Sequence, residues 1–150
     1  MKAITLDHVS VTVSDLDGSL VFYRDLLGIR MLGTGDEVEG AGPGVTGIPG
    51  ARFHYADLDL GSGQILELLQ YFRPVGKRIR HRIYDPGGGH VALRVDHLPT
   101  ILRKLKRAGI SPRSAPIKLK DPKWWRGATC VYVEDPDGVT VELVERSGKR

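Results

Sequence analysis

The sequence predicts an α+β fold made by building one unit twice, and three recurrences predict it. A strand led by a histidine runs over Asp7-His8-Val9-Ser10-Val11-Thr12-Val13 and again over Gly89-His90-Val91-Ala92-Leu93-Arg94-Val95, 82 positions later. Each is followed by a segment with helical periodicity. Further along each half a strand, a glycine turn and a strand recur, with Gly63 matching Gly138 at an offset of 75.

In the first strand Val9, Val11 and Val13 share one face, as Val91, Leu93 and Val95 do in its copy, because strand side chains alternate. His8 and His90 therefore fall on the less apolar faces of equivalent strands. Residues 14–28 read as a helix, with Ser14 or Asp15 near its cap, a stripe of Leu16, Leu20, Tyr23, Leu26 and Leu27, and Gly28 closing it. The second helix spans 96–109, with Leu98, Ile101, Leu102 and Leu105 as its stripe. Pro99 suits a first turn, where its missing N–H costs nothing. Residues 53–70 and 128–145 are the two strand-turn-strand segments, and the shared offset places Glu67 on Glu142. Each glutamate sits among aliphatic residues in mid-strand, so substantial burial is expected. Residues 33–50 hold seven glycines and read as an irregular, mobile loop. They fit no phosphate-loop pattern, since no Gly-Lys-Ser/Thr follows. Residues 111–126, with three prolines and Trp124-Trp125, read as a second long connection. The two tryptophans are expected to pack on a core edge or wall a pocket.

The composition narrows the function class. With 150 residues, 41% hydrophobic and 27% charged, the chain fits one soluble domain, residues 1–150, with module 1 at about 3–72 and module 2 at about 85–147. No apolar run reaches the roughly 20 residues of a membrane span. The first residues lack a signal-peptide core and lead straight into a strand, so a cytoplasmic location is expected. The single cysteine, Cys130, excludes an internal disulfide and reads as a buried thiol in an apolar strand. The net charge of +4 gathers at 77–82 and at Lys118, Lys120, Lys123 and Arg126. These clusters fit a solvated surface or an anionic small molecule; no aromatic interleaving or nucleic-acid motif accompanies them, and no nucleic-acid partner is expected.

A lone histidine at a strand start ordinarily caps or packs, and a carboxylate inside a strand costs several kcal/mol unless it is compensated. Here two histidines and two glutamates recur at matched positions. If the halves face each other, His8, Glu67, His90 and Glu142 can converge on one point. Two imidazoles and two carboxylates suit one borderline divalent ion, zinc, nickel, cobalt, manganese or ferrous iron, with a position left for substrate.

The segments Leu6–Leu16, Phe22–Gly28, Gly89–Asp96 and Glu134–Glu145 resemble the vicinal oxygen chelate superfamily. That group includes glyoxalase I, methylmalonyl-CoA epimerase, extradiol dioxygenases and the fosfomycin and bleomycin resistance proteins. The resemblance implies paired βαβββ modules forming a curled eight-stranded mixed sheet, a cup around a divalent metal, with helices on the outer face. His8, Glu67, His90 and Glu142 fall where the superfamily places its metal ligands, and this His/Glu/His/Glu set is similar to that of bacterial glyoxalase I. Epimerases typically have Gln at the place of Glu67, and dioxygenases His.

The resemblance implies a glyoxalase-like lyase or isomerase. A small-molecule substrate, chelated through vicinal oxygens, would lose an α-proton to Glu142 as leading base, with Glu67 across the carbon. Two alternatives stay open, an epimerase of an acyl-CoA or related acid and a non-catalytic drug- or metabolite-binding protein of the bleomycin resistance type. A homodimer is expected because one cup leaves sheet edges to cover.

Overall fold

The computed structural model describes residues 4–38, 44–80 and 82–146. The chain divides into two compact units, 1–79 and 80–150, and each holds one four-stranded mixed sheet. In the first unit the strands are β1 (His8–Thr12), β2 (Arg30–Val38), β3 (Arg52–Gly61) and β4 (Gln64–Arg73), ordered β1-β4-β3-β2. β1 runs parallel to β4, and the other neighbours are antiparallel. In the second unit β5 (His90–Val95), β6 (Ile117–Lys118), β7 (Thr129–Glu134) and β8 (Thr140–Glu145) are ordered β5-β8-β7-β6. Again the outer parallel pair, β5 with β8, brings together the first and last strands of the unit. A helix between the first two strands makes each unit βαβββ.

The helix of the first unit begins as α1 (Leu16–Leu20) and continues as a π-helical turn over Val21–Leu26. That turn adds a residue to the backbone ring and shifts the buried face by one position. Phe22 and Tyr23 are therefore both buried, their rings edge to face at 4.9 Å, whereas Leu26 and Leu27 are only half-buried. α2 (Leu98–Arg107) carries its proline in the first turn and buries Leu98 and Leu105. Each helix covers the aliphatic face of its own sheet. That face is Ala56, Leu58, Leu66 and Leu68 in the first unit and Leu93, Val131, Val133, Val141 and Leu143 in the second. Burying each large side chain stabilises the unit by about 2 kcal/mol.

The same long-range device closes both helix starts. Asp15 occupies the capping position of α1 without a side-chain capping bond. The Leu16 N–H instead donates to Oε1 of Gln70 at 2.9 Å, and the Leu98 N–H to Oε1 of Glu145 at 3.1 Å. The last strand of each unit thus satisfies an amide that the helix itself leaves unpaired.

Two connections are more ordered than the sequence suggests. The segment read as a loop from Gly33 is strand as far as Val38, paired with β3 from Gly33↔Asp57 to Val38↔Arg52. Its glycines hid the strand. Gly33 follows a register irregularity after Met31, and a Cβ on Gly35 would stand 2.8 Å from Oη of Tyr55, so the tyrosine ring takes that space. Residues 39–43 of this loop lie outside the described residues. Within 111–126, β6 and a 3-10 turn (Lys123–Trp125) replace irregular chain. No helix among the described residues is long and apolar enough to cross a membrane.

Candidate functional site

The face of each sheet away from its helix carries the polar residues. In the parallel register Ser10 lies beside Glu67 and Ala92 beside Glu142. Parallel neighbours point to the same side, so His8 shares a face with Glu67 and His90 with Glu142, each histidine two residues before the glutamate's partner. The two units thus repeat the same diagonal of imidazole and carboxylate. Their first strands repeat the same exposure pattern as well, with the histidine outward and the fourth residue buried.

In the second unit the pair is in contact, with Nε2 of His90 3.2 Å from Oε2 of Glu142. The Glu142 side chain is only 12% exposed, so it meets the expectation of burial. Glu67 is half-buried. Tyr132 lies directly across the β7–β8 pair from Glu142 and sets its ring edge-on to His90 at 5.3 Å. Cys130, buried as expected, lies on the same face of the sheet as Glu142, one strand across and two residues along from its partner Tyr132. Burial first, and then the Glu142 carboxylate, push both the Cys130 thiol and the Tyr132 phenol above their ordinary values. At neutral pH both groups stay protonated.

In the first unit His8 is oriented by its neighbour, its Nδ1 lying 2.7 Å from Oδ1 of Asp7. This bond raises the His8 pKa; partial loss of water opposes it, and the charges of Glu67, Asp7 and Asp57 add smaller upward contributions. A proton held on Nδ1 leaves the Nε2 lone pair free to act as a ligand. Asp57 stands directly across the β3–β4 pair from Glu67, which puts two carboxylates side by side. Asp7, Asp57, Cys130 and Tyr132 were not singled out for these roles from the sequence. Only Asp7, adjacent to a candidate ligand, carried a usable signal.

The donor chemistry fits a borderline divalent ion. Ligand bonds of about 2.0–2.2 Å put two adjacent donors on one ion roughly 3.0–3.5 Å apart, and the His90–Glu142 contact falls in that range. Among the described residues, no three or more His, Cys, Asp or Glu side chains gather as a metal-holding group. Each unit therefore offers a pair of candidate ligands.

The model of the Glyoxalase/Bleomycin resistance protein/Dioxygenase superfamily matches residues 5–143. The chain is 30% identical over 146 residues to the probable lactoylglutathione lyase of Synechocystis sp., covering 95% of this chain and 96% of that protein. It is 27% identical over 148 residues to the lactoylglutathione lyase of Haemophilus influenzae, covering 95% and 93%. Among solved structures, a glyoxalase family protein from Bacillus cereus superposes with a TM-score of 0.82 at 20% identity, over 99% of this chain and 97% of that one. Leishmania major glyoxalase I superposes with a TM-score of 0.63 at 23% identity, over 95% and 87%.

Proposed function

The chain belongs to the Glyoxalase/Bleomycin resistance protein/Dioxygenase superfamily, and from that premise we propose that it is a divalent-metal-dependent, glyoxalase-like lyase or isomerase. The observation that carries this reading is the repeated histidine–glutamate diagonal, closed to 3.2 Å in the second unit. The relatives named lactoylglutathione lyase support the lyase assignment. Residues 3–72 and 85–147 act as two modules of a single domain, and His8, Glu67, His90 and Glu142 are the ligands of one ion. The reading carries with it a small-molecule substrate, a homodimer and a cytoplasmic location.

When bound, the ion supplies electrostatic stabilisation for the negative charge that develops on neighbouring substrate oxygens as an α-proton leaves. The protein's own part is to hold and move that proton. Glu142 is the leading base, and its burial between Cys130, Tyr132 and His90 keeps bulk water from competing for the proton. The Cys130 thiol supports the carboxylate, and the Tyr132 ring restricts the swing of the His90 imidazole. Glu142 then returns that proton to the substrate, with Glu67 on the opposite side of the carbon.

The test is metal analysis of protein purified without added ions, together with proton exchange in heavy water. Stoichiometric metal, lost in Glu142→Ala, and deuterium wash-in to hemithioacetals or 2-oxo thiols are expected. Wash-in confined to acyl-CoAs would move the assignment to an epimerase. Absence of metal after reconstitution, with every α-proton in the panel retained, would leave a binding protein of the same family.

A further inference from the structure

At the edge of the second sheet opposite β5 lies an open surface hollow of about 510 Å³ lined by Lys118, Leu119, Lys120, Asp121, Arg126 and Gly127. Its frame is tied down by hydrogen bonds. The Leu119 N–H donates to the Ala128 carbonyl at 2.8 Å, and the Gly127 N–H to the Leu119 carbonyl at 2.9 Å. Arg126 donates from Nε to the Lys120 carbonyl at 3.1 Å and from its terminal nitrogen to Asp121 at 3.2 Å. Leu119 and Trp125 pack on the buried cluster of Ala128, Cys130 and Val144. Arg146 lies over the Trp125 ring at 4.6 Å and donates to the Trp124 carbonyl. The cavity is thus formed before any ligand arrives.

Three cations line this cavity against one carboxylate, and that carboxylate is engaged by Arg126. Neither Lys118 nor Lys120 makes an ion pair among the described residues. These cations are exposed, and an anion seated between them would meet all three charges in one place. Leu119 gives the same hollow an apolar surface, and a few charged groups around an apolar wall are the usual make-up of a small-molecule site. We propose that this cavity binds a small organic anion, with a phosphate- or carboxylate-sized head between Lys118, Lys120 and Arg126 and an apolar body against Leu119. The assignment does not depend on the metal-site reading, because it uses none of that site's residues.

Trp124 and Trp125 are the chain's two tryptophans, so selectively excited tryptophan fluorescence reports on this corner of the molecule. Phenyl phosphate, inorganic phosphate and phenol are titrated into the full-length, metal-free protein, with fluorescence and calorimetric readouts. Phenyl phosphate is expected to saturate one site per chain, to bind tighter than inorganic phosphate and to weaken as salt is raised. Lys118→Ala and Lys120→Ala should each weaken it on the order of tenfold, whereas Lys104→Ala, an equal charge change on α2, should not. The proposal is overturned if phenyl phosphate shows no saturable binding, if phenol binds as well, or if Lys104→Ala costs as much as the cavity lysines. Equal affinity for inorganic phosphate would overturn the role given to Leu119. Circular dichroism of each variant confirms that the fold is retained.

Discussion

Ser19 shows how one atom can set a local cost. It is fully buried in α1, and its hydroxyl finds no hydrogen-bond partner among the described residues. Ser19→Ala removes that unsatisfied group and improves helix propensity, so a gain of about 1 kcal/mol is expected in chemical denaturation. His8 makes the corresponding argument for charge. Its pKa is raised chiefly by the hydrogen bond to Asp7, and an NMR titration of Asp7→Asn should bring it back toward the ordinary imidazole value. Because the folded-state pKa is the higher one, the stabilisation from this pair is complete below the ordinary imidazole pKa. It is lost as pH rises through the raised value, so wild type and Asp7→Asn should converge in stability in alkaline solution.

At the scale of elements, the bonds from Gln70 to α1 and from Glu145 to α2 replace local caps. Gln70→Ala and Glu145→Ala should each cost about 1 kcal/mol in denaturant unfolding, the usual loss when a capping side chain is removed. Ser14→Ala should cost less if Gln70 carries the cap. These bonds link residues 54 and 47 positions apart, so the sequence points instead to a local first cap at Ser14 or Asp15. β2 was obscured for a different reason. Gly33 and Gly35 read as loop formers, yet one lies at a register irregularity and the other makes room for Tyr55. The matched positions of His8 with His90 and of Glu67 with Glu142 were legible because the strand patterns repeat along the sequence, whereas the diagonal that joins each histidine to its glutamate needed the parallel register.

At the scale of the whole molecule, the proposed ion uses two residues from each unit, and this makes a prediction that neither unit makes alone. His8→Ala and His90→Ala should each abolish stoichiometric metal binding, although the substitutions lie in different units. Nickel or zinc should raise the melting temperature of the wild type, as any ligand that prefers the folded state does. EDTA should reverse that rise, and neither histidine variant should show it. A shift that survives in one variant would mean that a single pair holds the ion.

The sequence by itself determined the duplicated α+β plan, the two helices, the histidine-led strands, the strand-turn-strand pairs and the four candidate ligands. Those features rest on periodicity and turn chemistry acting over a few residues. Tertiary structure alone decided that Cys130 and Tyr132 close around Glu142, that Gln70 and Glu145 finish the helices, and that Lys118, Lys120 and Arg126 share one cavity. Each of these depends on strand register or loop closure, and a contact between residues distant along the chain leaves no periodic mark in the sequence.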